Sequence, residues 1–158
     1  MRIIDGYNVI GAAGEFGLAL SQPDKEERLL RLLSRFRSRR NSRQAMLVVF
    51  DGSHGRLAAG PRRYTRLGIG VEWTLGETAD AAMVRKVRGA ARAREIEVVT
   101  SDQSVLRAVA GWGAKGTRAP AFLAEVSRAL ADAPAAEKPE AASPDEIAEW
   151  LKYFKADL

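Results

Sequence analysis

Asp5, Asp51, Asp80 and Asp102 are the residues whose type and spacing best suit chemistry. Asp5 closes the run RIID, Asp51 follows AMLVVF, and Asp102 follows IEVVTS. Asp80 stands two residues into a helical pattern, with Glu77 just before it. Taken singly, Asp80 and Asp102 read as helix N-caps and Asp51-Gly52 as a turn. Taken together, they are carboxylates at four strand-to-helix junctions. Clustered carboxylates repel and raise one another's pKa unless a cation neutralises them. A site built of Asp and Glu oxygens favours Mg²⁺ or Mn²⁺.

The rest of the inventory narrows the chemistry. The 158 residues include no cysteine and a single histidine, His54. Disulfides, cysteine zinc sites, Fe–S clusters and thiol nucleophiles are excluded, as is a multi-histidine metal cage. The sequence contains no GxxxxGK[ST] loop and no GxSxG. Gly11, Gly14 and Gly17 do not make GxGxxG. His54 reads as a solvated loop residue, and Trp73, Trp112 and Trp150 as packing residues.

The elements that must position the acids alternate along the chain. Residues 2–5 read as a first strand, followed by a Gly-rich loop. A helix is expected from Ser21, its N-cap, to about Arg40. Leu29, Leu30, Leu33 and Phe36 line one side of it and Arg28, Arg31, Arg35 and Arg39 the other. Residues 45–50 form a buried strand, 52–68 a loop and 69–75 a third strand. A helix spans about 78–94, a strand 96–100, a short helix 103–110, a short strand 114–117 and a helix 120–131. This alternation predicts βαβ units: an α/β fold with a central, mainly parallel sheet covered on both faces. Ligands of such sheets bind beyond the carboxyl ends of the strands, where the acids fall.

Residues 1–132 are read as one domain and 133–142 (APAAEKPEAA) as a linker. Residues 143–158 read as an amphipathic helix capped by Ser143, with Ile147, Trp150, Leu151 and Phe154 on one face. Net charge is +5, but residues 1–132 hold 22 basic and 14 acidic side chains, and the remainder 3 and 6. The arginine-rich body suits a polyanion. No signal peptide or membrane span is read, so the expectation is a cytoplasmic protein without a membrane partner, a monomer or weak dimer.

The acids are embedded in recognisable phrases. DGYNVI (5–10), VVFD (48–51), GETAD (76–80) and VTSD (99–102) follow in that order. This run resembles the YacP-like branch of the NYN domains, within the PIN-like ribonucleases, over residues 1 to about 130. The resemblance implies a three-layer α/β/α sandwich, a divalent metal, and endonucleolytic cleavage of RNA, with mRNA on the ribosome as the associated substrate. By position, Asp5, Asp80 and Asp102 match the metal-binding acids. Asn8 accompanies the first of these, and Asp51 matches the acid after the second strand. Glu77, Thr100 and Ser101 take supporting roles. Arg118 stands where a serine opening the last helix is expected, and the tail after Asp132 has no counterpart.

The expected mechanism is metal-assisted hydrolysis. An ion held by Asp5, Asp80 and Asp102 activates water and offsets phosphate charge, leaving a 5′-phosphate and a 3′-hydroxyl. Asn8 orients the first carboxylate. Arg56, Arg62, Arg63 and Arg66 are candidate RNA clamps, or simply a solvated loop face. Two other readings stay open. One is an inactive RNA- or ribosome-binding module, and the other a metal-dependent phosphoesterase acting on a small substrate.

Overall fold

The computed structural model describes residues 1–52 and 61–131, together with positions 144, 145, 147 and 148, which are helical. Four parallel strands make the centre of the sheet: β1 (Arg2–Asp5), β2 (Met46–Phe50), β4 (Ile69–Trp73) and β5 (Glu97–Val99). β3 (Arg63–Arg66) joins one edge antiparallel and β6 (Lys115–Thr117) the other edge parallel. The order is β3-β4-β2-β1-β5-β6.

Side chains alternate across each strand, so neighbours enter opposite cores. Ile4, Val48, Phe50, Val71, Trp73 and Val99 pack beneath helices α1 (Gly6–Ala12), α2 (Lys25–Arg39) and α5 (Ala119–Ala131). Ile3, Leu47, Val49 and Val98 pack against α3 (Ala79–Gly89) and α4 (Gln103–Gly111). The sheet is therefore buried on both faces, which explains its continuous apolar runs. This is the expected mixed α/β fold. α2 contributes Leu29, Leu30, Leu33 and Phe36 to the core, and the Phe36 ring meets Phe122 of α5 edge-on at 5.6 Å.

Several expectations are corrected. The Gly-rich segment after β1 is helix α1, not a loop. Its glycine is chosen by packing, since a Cβ on Gly6 would lie 2.4 Å from the Phe50 ring. Gly6→Ala is therefore expected to cost about 1–3 kcal/mol by overpacking, measurable as a shift in the urea midpoint. α2 begins at Lys25, not after Ser21. The intended start is consumed by a turn in which the Gln22 side chain accepts from the Ala19 amide and donates to the Gly17 carbonyl. The Asp24 carboxylate accepts from Arg28 Nε at 2.9 Å rather than capping the helix.

Strand β3 lies inside the stretch read as a loop. It pairs with β4 through a two-residue turn, Leu67-Gly68, with both φ angles positive at 55° and 78°. As a mostly exposed edge strand it carries no apolar alternation, so periodicity could not reveal it. The helix expected over 78–94 ends at Gly89 and is followed by a 3₁₀ turn at Ala93–Glu95. His54, Arg56, Trp150 and the 133–142 segment lie outside the described residues. Among those residues no helix is long and apolar enough to cross a membrane.

Candidate active site

The chain runs from β1 to β2 and β4 on one side, then crosses back to place β5 on the other side of β1. The β1/β5 boundary is thus a topological switch point, where a crevice opens at the carboxyl ends of the strands. Asp5 ends β1 there, and the Thr100–Asp102 segment leaves β5 beside it. α3, the crossing helix, brings Asp80 in its first turn. Its start is capped by Thr78, whose Oγ1 accepts from the Ala81 amide at 3.1 Å. A buried ion pair, Lys86 Nζ to Glu72 Oε2 at 2.6 Å, ties the same helix to β4.

Hydrogen bonds lock this rim. Thr100 is fully buried, and its Oγ1 donates to Asp5 Oδ2 at 2.9 Å and accepts from the Asp102 amide at 3.2 Å. Asn8 Oδ1 accepts from the Ser101 amide at 2.9 Å, tying α1 to the end of β5. Ser101 Oγ accepts from the Ala119 amide at 3.3 Å, so the start of α5 is held by the segment leaving β5, although Arg118 precedes it. Asp102 Oδ1 accepts from the Ser104 amide at 2.8 Å and its hydroxyl at 2.6 Å, and from the Val105 amide at 3.3 Å. Ser104 was not singled out from the sequence. The signal was there, as a hydroxyl two residues after a predicted N-cap aspartate.

The charges report the crowding. Burial pushes the Asp5 carboxyl upward; bonds from Thr100 and the Asn8 backbone oppose this, while Asp102 and Asp51 add to it. Asp80 is pushed up to about 6, first by burial, then by its hydrogen bond with Asp102 and the charges of Asp5, Asp102 and Asp51. Asp102 is held low, chiefly by the Ser104 hydroxyl. Asp80 and Asp102 are thus coupled, their hydrogen bond raising the first and lowering the second. Asp51 follows β2, half-buried, and acts through its charge. The next residue is pinned, because the Gly52 amide donates to Thr74 Oγ1 at 3.0 Å and a Cβ on Gly52 would lie 2.1 Å from the Thr74 carbonyl oxygen.

Asp5, Asn8, Asp51, Asp80, Thr100, Ser101 and Asp102 therefore meet on one rim. Glu77 instead forms an ion pair with Arg85 at 2.7 Å. The clamp candidates are placed elsewhere. Arg62 donates to the Trp73 carbonyl, Arg63 pairs with Glu72 at 2.8 Å, and Arg66 pairs with Glu27 at 2.7 Å. They flank or form β3, three strands from β1 and about 14 Å away by strand spacing. Among the described residues no three acidic or histidine side chains are already disposed to enclose an ion. The donor set on the rim is nonetheless all oxygen, and its members feel one another's charge.

A mostly parallel sheet layered with helices, with acids gathered at its switch point, defines a PIN-like nuclease-type domain. The chain belongs to the YacP-like NYN domain family, whose profile matches residues 2–152. The match thus reaches past residue 132 into the tail for which no counterpart had been expected. Two solved structures of Rae1 (YacP) from Bacillus subtilis are similar. A tryptophan-to-leucine mutant shares 25% identity at a TM-score of 0.66, over 83% of this chain and 77% of that one. The second structure shares 24% identity at a TM-score of 0.62, over 99% and 84%. No curated protein matches the chain.

Proposed function

We propose that this protein is a metal-dependent endoribonuclease in which Asp5, Asp80 and Asp102 hold Mg²⁺ or Mn²⁺. The observation that carries the reading is the gathering of Asp5, Asp80 and Asp102 on one rim, where burial and one another's charge raise Asp5 and push Asp80 up to about 6. At neutral pH Asp80 carries a charge that its surroundings oppose, and a divalent cation would offset that charge through oxygens that suit a hard ion. The ion supplies Lewis-acid chemistry, lowering the pKa of water and offsetting charge on the attacked phosphate.

The chain's own residues set the stage. Thr100 fixes the Asp5 carboxylate from below, and Asn8 holds α1 against the end of β5. Three donors on Oδ1 fix the orientation of Asp102. Asp80, ionised above about pH 6, would add its carboxylate oxygens to the site. Water then cleaves the phosphodiester to a 5′-phosphate and a 3′-hydroxyl. RNA is the substrate, with mRNA on the ribosome as the form the family resemblance implies.

The test is incubation of the protein with single-stranded and structured RNA in Mn²⁺, beside EDTA and Asp5→Asn controls. Internal cleavage that both controls remove is expected. Turnover of a small phosphoester but not RNA, or metal-independent RNA binding without cleavage, would overturn the reading. Thr100→Val is expected to lower cleavage about 10–100-fold, because it frees the Asp5 carboxylate it positions. Single-turnover rates check this, and far-ultraviolet circular dichroism confirms the fold.

A further inference from the structure

Beside the acid rim, on the α1/α2 face, lies an open groove of about 780 Å³. Its aromatic wall is the partly exposed Tyr7 and Tyr64, backed by the buried Trp73, whose indole stacks on Phe50 at 4.8 Å and donates to the Tyr64 hydroxyl at 3.2 Å. Tyr7 stands between Asp5 and Asn8 in the sequence and meets Trp73 edge-on at 6.4 Å. β4, which carries Trp73, lies two strands from β1, about 10 Å by strand spacing. A strand of RNA with a phosphate at the acids therefore has an adjoining nucleotide within reach of the groove.

The charged lining decides which part of that nucleotide enters. The acids and cations of the groove balance once Arg28 is counted, because it holds Asp24 at 2.9 Å. Arg66 is neutralised by Glu27 at 2.7 Å, and Lys25 stands 3.5 Å from Glu26. With Lys25, Arg28 and Arg66 each engaged by an acid, the groove offers a phosphodiester little counter-charge. It suits a nucleobase, whose faces stack on aromatic rings and whose amino and imino groups donate to carboxylates. From this geometry we infer that the Tyr7–Tyr64–Trp73 groove binds a base of the RNA adjoining the scissile phosphate. Arg66 then shapes the groove through Glu27 rather than gripping the backbone. The inference rests on the nuclease reading for its substrate, but its test does not depend on cleavage.

The full-length protein is titrated in EDTA with a fluorescently labelled, mixed-sequence single-stranded oligoribonucleotide and with its abasic counterpart. Wild type should prefer the base-containing strand about tenfold, the scale of one stacked base. Tyr64→Ala should erase that preference, while Tyr64→Phe, which keeps the ring, should retain it. A preference that survives Tyr64→Ala, or no preference in wild type, overturns the assignment. So does binding of a lysine-rich peptide that RNA does not displace, which would give the groove to a protein partner. A base preference intact in a protein that never cleaves RNA would sink the nuclease reading and leave the groove standing.

Discussion

Asp5→Asn is expected to lower RNA cleavage by about 10³-fold or more while leaving the protein folded. Loss of one anionic ligand removes several kcal/mol of charge stabilisation for the ion, and each 1.36 kcal/mol is tenfold in rate. The fold should tolerate the change for a reason visible at the site. Asp5 is a buried carboxyl whose ionised form is disfavoured by burial and by Asp102 and Asp51. A neutral amide relieves that burden and its oxygen still accepts from Thr100. Cleavage rates over a range of Mn²⁺ concentrations, set beside urea denaturation, separate the two effects. Full activity in this variant would sink the metal reading. Loss of activity together with loss of fold would assign Asp5 a structural role instead.

Asp80→Asn should combine loss of cleavage with a gain in stability in EDTA. The folded-state pKa of Asp80, about 6, stands above its ordinary 3.8. For an acid raised in this way, the protonated form favours the folded chain. That stability is fully present below the unfolded pKa and is lost as pH rises through about 6. At pH 7 the ionised Asp80 therefore opposes folding. The group is half-buried, so solvent screening reduces the penalty to about 1 kcal/mol. Asp80→Asn removes it, which predicts a melting temperature a few degrees higher at pH 7 and little change near pH 4. Mn²⁺ should bind wild type more tightly as pH rises through about 6, because ion and proton compete for one carboxylate. Equal stability of the two proteins at pH 7 would show that the acids are not coupled as described.

The two variants express one arrangement. Acids placed together at a switch point destabilise the fold wherever no cation balances them, as functional groups commonly do. The basic excess of the body is compatible with this centre. The basic body suits a polyanion, and the proposed reading gives the rim a cation.

Much of this was legible in the sequence. β2 is an uninterrupted apolar run, and β1, β4 and β5 keep short β-branched stretches around Arg2, Glu72 and Glu97, which made all four visible as buried strands. Asp5, Asp51 and Asp102 were locatable because they end or closely follow those runs. The DGYN, GETAD and VTSD phrases pointed to the family. Less legible were the elements whose state depends on distant partners. Helix α1 is glycine-rich and poor in helix propensity, yet Val9 and Ile10 are fully buried and Gly6 lies under Phe50. Strand β3 is an exposed edge without alternation and forms by pairing with β4.

By itself, then, the sequence determined the alternation of strands and helices, the carboxylates at the strand ends and the family. These depend on residue type and on spacing along the chain. Only the tertiary structure decided which residues share a site. It brought Thr100 beneath Asp5 and Asn8 onto the Ser101 amide, 95 and 93 residues apart in sequence. It spent Glu77 on Arg85 and Arg66 on Glu27. The physical reason is that hydrogen bonds and ion pairs act over a few ångströms of space. Which groups come that close is set by strand order, and strand order is not written in any local stretch of sequence.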